Sequence, residues 1–147
     1  PSTWKGDAFD ATSWASATAS FGYGDPHTTT LAAPGNEKPL TAYFRTTITV
    51  ADPTSIDEVL LDLVRNSGAA VYVNGVEVAR SNLPAGTLTA DTYASSYLAA
   101  DERTTPVRFT IPASRLRAGT NTVAVELHLN SRSQPTAGFD LGLTAVS

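Results

Sequence analysis

The stretch Val71-Tyr72-Val73-Asn74-Gly75-Val76-Glu77-Val78 decides the fold of this chain. Asn-Gly between two alternating runs is a strong hairpin signal, because a two-residue type I′ turn needs positive φ at both central positions. Such a turn also sets the register of the two strands, and it places the four valines on one buried face. The register that follows pairs Val73 with Val76, Tyr72 with Glu77, and Val71 with Val78.

Apolar residues alternate with period two on both sides of this hairpin, as expected for strands with one buried face. Residues with turn chemistry separate the alternating runs, and no segment has room for a stable amphipathic helix. Many short strands of this kind are typical of two sheets packed face to face. We therefore predict an all-β fold, an antiparallel two-sheet β-sandwich of jelly-roll order, in a single domain over residues 1–147. The alternating runs are 43–50, 59–63, 107–111, 123–129 and 139–145.

Composition excludes several classes of function. The formal net charge is −4 and the ten lysines and arginines are scattered, so no basic stripe is available for a run of phosphates. No apolar run approaches the roughly 18 residues of a membrane span. The chain has no cysteine, which excludes disulfides and thiolate metal sites. We expect neither nucleic acid nor a membrane as a partner.

Five aromatic residues fall within twenty positions of the N-terminal third. Large rings in such a loop-rich segment usually cap the edge of a core, because they bury much apolar area. The other interpretation is that some of them stack on a sugar, and Trp4 and Tyr23 are the candidates for that role. The five residues are Trp4, Phe9, Trp14, Phe21 and Tyr23.

Six stretches in this order along the chain carry a family resemblance: residues 9–14, 21–25, 43–50, 70–78, 119–128 and 139–141. Together they resemble accessory modules with the galactose-binding-like β-sandwich, found in secreted bacterial multidomain hydrolases. The resemblance implies a non-catalytic carbohydrate-binding module, monomeric and excised from a larger extracellular enzyme. Its partners would be a polysaccharide and the parent catalytic domain in cis. Some members of the family carry a structural calcium.

Strand parity predicts one candidate ligand site. If the alternating apolar residues face the core, Tyr43 and Arg45 point outward from one strand, and Glu126 and His128 point outward from another. An aromatic ring, a guanidinium, a carboxylate and an imidazole suit stacking on a pyranose and hydrogen bonding to its hydroxyls. The alternative is a cross-strand ion pair between Arg45 and Glu126, with His128 nearby.

Four loop carboxylates are candidate calcium ligands: Asp7, Asp10, Asp25 and Asp140. Calcium takes six to eight oxygen ligands, and this fold brings loops and termini together at one end of the sandwich. The alternative is that these are solvated loop acids in Asx-turns, because no Asp-x-Asp-x-Asp-Gly pattern is present.

Catalysis is not expected. His27 follows a turn-like Gly-Asp-Pro, but the sequence contains no nucleophile elbow, no Walker loop and no His-Glu-x-x-His. An independent hydrolase would need a pocket with perturbed acids. The stronger rival to a binding module is a structural accessory domain that packs on its parent enzyme and binds no glycan. A binding module should expose an aromatic ring beside polar side chains, whereas a packing domain should expose a contiguous apolar patch.

Overall fold

Two β-sheets packed face to face form the fold in the computed structural model, which describes residues 3–32 and 38–147. Two 3-10 turns and one short helix, α1 (Ala100–Thr104), lie between strands. The strands within the described residues are β1 (Phe21–Tyr23), β2 (Thr29–Thr30), β3 (Thr41–Val50), β4 (Glu58–Asn66), β5 (Gly68–Val73), β6 (Val76–Ser81), β7 (Val107–Pro112), β8 (Gly119–His128) and β9 (Ala137–Val146).

The five-stranded sheet has the order β2-β1-β9-β4-β7, and the four-stranded sheet has the order β3-β8-β5-β6. All strand pairs are antiparallel except the short pair β1 and β2. From β6 onward the chain changes sheet at every connection, as jelly-roll topologies do. The predicted all-β, antiparallel two-sheet sandwich is confirmed. No helix in the described ranges has the length and apolar character needed to cross a bilayer.

The predicted Asn-Gly turn is present, with φ of 49° at Asn74 and 82° at Gly75. The predicted register holds next to the turn, but a shift between Val71 and Tyr72 places Ala79, rather than Val78, opposite Val71. Such a bulge inserts one residue into a strand and turns the following side chains. The prediction that all four valines are buried is therefore wrong. Val76 is 42% exposed at the hairpin tip, and Val78 packs only at the margin of the core.

The main core lies between the two sheets and is built from one face of each strand. Residues at alternate positions of β4, β7 and β9 meet the inner face of β5 and β8, which is the period-two pattern of a sandwich. Its most deeply buried apolar side chains are Leu61, Leu63, Val71, Ile111 and Val123.

A second apolar cluster covers the outer face of the four-stranded sheet. The Trp4 ring lies 4.7 Å from the Tyr43 ring and 5.8 Å from the Tyr72 ring, measured between centroids. Phe9, Trp14 and the segment around Leu83 pack against the same cluster. The four-stranded sheet is therefore buried on both faces in its central strands, whereas the five-stranded sheet keeps much of its outer face uncovered.

Candidate functional site

Strands β3 and β8 bring the four predicted ligand residues to one surface. Their register sets Tyr43 opposite Glu126 and Thr41 opposite His128, so all four side chains do lie off the main core, as strand parity predicts. That surface is not open, however. The N-terminal segment and the loop that follows β6 lie over it, and the exposed fraction is 4% for Glu126 and 0% for His128. These two side chains are enclosed by protein, and in this conformation no glycan reaches them.

Arg45 ties the N-terminal segment to the sheet. Its Nη1 donates hydrogen bonds to the carbonyl oxygens of Trp4 and Gly6, the latter at 2.9 Å, and its guanidinium lies 5.4 Å from the Phe9 ring centroid. It forms no ion pair with Glu126, so the alternative that we considered for these two residues is wrong. The register sets Arg45 opposite Ala124 rather than Glu126, and its guanidinium binds the backbone of the N-terminal segment instead.

Glu126 and His128 form a buried pair that reaches into the covering loop. His128 Nε2 lies 3.0 Å from Glu126 Oε1, and His128 Nδ1 lies 2.7 Å from the carbonyl oxygen of Thr92. A carbonyl oxygen only accepts, so Nδ1 carries a proton and donates it to Thr92. The hydroxyl of Thr41, itself a donor to the carbonyl of Ala90, lies 3.1 Å from the same Nδ1. The pair thus holds the loop backbone at Thr92.

The buried carboxylate also affects the tyrosines next to it. Burial, and secondly the negative charge of Glu126, raise the pKa of the Tyr72 hydroxyl. The same two causes, with Asp91 as a third, raise the pKa of Tyr43. Both phenols therefore stay neutral in the ordinary pH range, and the covered face holds no phenolate.

Residues 82–98, which we call the anchored loop, are held at several further points. The Asn82 side-chain amide donates to the carbonyls of Ser67 at 3.0 Å and Ser96 at 2.8 Å, and its oxygen accepts from the backbone N–H of Ser96. The backbone N–H of Ala94 donates to the carbonyl of Leu129 at 2.9 Å. A loop with this many bonds to the sheet presents its remaining side chains in a defined geometry.

The anchored loop presents two aromatic rings to solvent. Tyr93 is 48% exposed and Tyr97 is 59% exposed, and within the described part of the chain the only other large exposed hydrophobic residue is Val76. An exposed ion pair involves the same loop: Asp91, two residues before Tyr93, has its Oδ1 3.6 Å from Arg132 Nη2. Sequence analysis missed both tyrosines because the loop has no periodicity. The available signal was two tyrosines within a run of Ser, Thr, Ala and Asp.

Neither ring of the second predicted site is open to solvent. Trp4 is buried in the second cluster, and Tyr23 is buried on the inner side of β1, with Lys38 Nζ 5.1 Å from its ring centroid. Burial raises the pKa of Tyr23 to about 12. Both rings act as caps of apolar clusters, which is the other interpretation that composition allowed.

The four predicted calcium ligands do not form one metal site, although Asp25 and Asp140 line the same groove. Each one has a separate local partner, and residues 3–32 and 38–147 contain no group of three or more His, Asp or Glu placed to hold a metal ion. Hydrogen bonds from Thr12 hold the pKa of Asp10 below its usual value, as expected for an Asx-turn. The donor set does not fit a structural calcium. The partners are Arg117 for Asp7, Thr12 for Asp10, Arg103 for Asp25, and the backbone N–H of Leu141 for Asp140.

No family model and no curated protein matches this chain by sequence. Solved structures match it by fold. Bacteroides uniformis beta-glucuronidase is 22% identical with a TM-score of 0.65, and the match covers 98% of this chain and 16% of that one. A glycosyl hydrolase family 2 member from Bacteroides cellulosilyticus is 16% identical with a TM-score of 0.56, over 95% of this chain and 18% of that one.

A calcium binding mutant of Bacteroides uniformis beta-glucuronidase 2 is 17% identical with a TM-score of 0.56, over 92% of this chain and 15% of that one. At these identities the likeness shows the fold. This chain has the fold of a β-sandwich domain carried by multidomain glycosyl hydrolases, and it spans less than a fifth of the length of those enzymes.

Proposed function

We propose that this chain is a non-catalytic carbohydrate-binding module of a secreted, extracellular bacterial glycosyl hydrolase. The observation that carries the proposal is the pair of exposed rings, Tyr93 and Tyr97, on a loop that the sheet holds by hydrogen bonds. The fold likeness to β-sandwich domains of glycosyl hydrolases supports it. The parent catalytic domain would be joined in cis, and the module itself would be monomeric.

The physics of sugar recognition favours such a loop. A tyrosine ring stacks on the C–H face of a pyranose while its hydroxyl stays hydrated, and two χ angles cost little entropy to fix. Holding the loop backbone in place before binding lowers the cost of association further. The adjacent Asp91 carboxylate accepts hydrogen bonds from sugar hydroxyls, and the Arg132 guanidinium donates to them.

The four residues of the first predicted site act indirectly in this proposal. His128 and Glu126 support the loop from beneath, and Arg45 and Tyr43 hold the N-terminal segment that covers the same face. Calcium has no part in the proposal, because the described residues place no three carboxylate or imidazole side chains together to hold a metal ion.

The proposal is tested on a glycan array with the wild type and the variants Tyr93→Ala and Tyr97→Ala. The matched control is Val76→Ala, which shortens an exposed apolar side chain on the hairpin tip. Removing a stacking ring costs roughly 1–3 kcal/mol in comparable stacking on ligands, so we expect each tyrosine variant to lose about tenfold in affinity. Tyrosine variants that are folded and bind as the control does would overturn the proposed site.

A second candidate function is a structural domain that packs on its parent enzyme. The outer face of the five-stranded sheet favours it, because Leu60 and Val64 are only half-buried there and Gly142 leaves a flat, open strip. This candidate predicts no binding to any glycan. It also predicts that Leu60→Asp weakens association with the parent catalytic domain without lowering the stability of the isolated domain.

A further inference from the structure

A groove of about 420 Å³ lies against the outer face of the five-stranded sheet. Its floor is the backbone of β9 around Gly138, and its walls come from the loop after β1 and from α1. A pocket of this size falls within the range of small-molecule sites. The polar side chains that line it are Ser20, Asp25, His27, Asn66, Arg103, Thr104 and Asp140.

The imidazole of His27 lies directly on the sheet because two neighbouring strands have glycine beneath it. A Cβ built at Gly138 would lie 2.6 Å from His27 Nε2, and one built at Gly22 would clash with the same atom. No described residue makes a hydrogen bond to the ring. The two glycines therefore make room for the His27 imidazole at the edge of the groove, where no hydrogen bond from a described residue holds it.

Arg103 is held in place but keeps an unused donor. Its Nη1 donates to the hydroxyl of Thr136 at 2.6 Å and lies 3.8 Å from Asp25 Oδ2. Its Nε is buried and has no acceptor within the described residues. Because this nitrogen is shielded from solvent, a ligand in the groove would meet the exposed part of the Arg103 side chain, of which 16% is accessible.

The charges that face the groove select the class of ligand. Asp25 and Asp140 contribute two carboxylates against the one guanidinium of Arg103. A ligand carboxylate would meet like charge at short range, which is unfavourable. The neighbouring hydroxyls of a neutral sugar suit the groove better. One sugar hydroxyl can donate to an aspartate carboxylate of the groove while the next accepts from the Arg103 guanidinium.

We propose that this groove is a second saccharide subsite, which takes one neutral hexose unit through Arg103, Asp140 and His27. The proposal rests on the proposed function only in taking carbohydrate as the ligand. It does not require Tyr93 or Tyr97, and α1, which carries Arg103, begins three residues after Tyr97.

The test is an NMR titration of the whole 147-residue chain with D-glucose, D-galactose and D-mannose, and separately with D-glucuronate and D-galacturonate. The readouts are the His27 ring signals and the backbone amide of Gly138. We expect saturable shifts with at least one neutral hexose and at least tenfold weaker binding of the uronates. Arg103→Gln should lose at least tenfold in affinity.

Asp140→Asn is the second variant, because it keeps the shape of an exposed side chain and should also weaken binding. The control is Asp57→Asn, an exposed acid far along the chain from the groove, which should bind as the wild type does. No saturable shift with any neutral hexose, or equal binding of the uronates, overturns the inference. Tyr93→Ala should leave the groove shifts unchanged, so a failure of the tyrosine site and a failure of the groove are separate results.

Discussion

His128 Nε2 lies 3.0 Å from Glu126 Oε1, and both side chains are buried beneath the loop that carries the exposed tyrosines. The opposite ring nitrogen of His128 bonds to the carbonyl of Thr92, the residue before Tyr93. A polar pair inside the protein thus connects the central strand β8 to the loop backbone next to Tyr93. Buried polar pairs of this kind are costly to break, because the remaining partner loses a hydrogen bond that water cannot replace.

His128→Ala should therefore lower the free energy of unfolding by about 3 kcal/mol, since it leaves Glu126 buried without its partner and frees Thr92. Urea unfolding checks the stability, and amide hydrogen exchange of Tyr93 and Ala94 checks the loop. Glu126→Gln is the control, because an amide still offers a hydrogen bond to Nε2, and it should cost less. A His128→Ala protein within 0.5 kcal/mol of the wild type would contradict this role for the pair.

Arg45→Ala should release the N-terminal segment from the four-stranded sheet. The guanidinium makes two charge-assisted hydrogen bonds to backbone carbonyls there, and such bonds contribute about 1.5–3 kcal/mol each. We expect lower stability together with a red shift of tryptophan emission, because Trp4 becomes hydrated. The matched control is Arg108→Ala, which removes an exposed ion pair with Asp62 and should cost at most about 1 kcal/mol. An unchanged emission maximum in Arg45→Ala would contradict the prediction.

Tyr23 should contribute to a loss of stability at alkaline pH. Burial raises its pKa to about 12 in the folded protein, above the ordinary tyrosine value of 10.0. The unfolded chain therefore loses this proton first, so the stabilising contribution is complete below pH 10 and disappears as the pH rises to 12. Tyr23→Phe should unfold at higher pH than the wild type.

The same variant should not lose stability at pH 7, because the Tyr23 hydroxyl is buried without a hydrogen-bond partner among the described residues. Thermal unfolding at pH 7 and pH 11 measures both effects. A lower melting temperature for Tyr23→Phe at pH 7 would mean that the hydroxyl has a partner after all.

Gly75→Ala should destabilise the hairpin by about 1–2 kcal/mol, because residue 75 has a φ of 82° and an L-residue pays that amount in the left-handed region. Gly142→Ala is the control: a Cβ there meets open space and its φ is not in the left-handed region, so we expect a change near zero. Equal melting temperatures for the two variants would count against the type I′ turn.

Local chemistry predicted much of the fold. The Asn74-Gly75 turn and the parity of Glu126 and His128 follow from neighbours in sequence, and both are present. Which segment packs over a strand face, however, depends on contacts between residues that are far apart in the sequence. Strand parity alone predicts that His128 points outward, away from the main core. In the structure the loop at Thr92, 36 positions earlier in the sequence, covers it. The shift at Val71 has no signal in the alternation, and Tyr93 and Tyr97 lie in a loop where periodicity carries no information.

Affinity electrophoresis of the wild type and of Tyr93→Ala/Tyr97→Ala, in gels containing soluble polysaccharides, tests the central claim most directly. We expect at least one polysaccharide to retard the wild type, and the folded double variant to migrate in that gel as it does without polysaccharide. Equal retardation of the double variant would contradict the tyrosine site. A wild type that no polysaccharide retards would contradict carbohydrate binding itself and leave the packing domain as the better account.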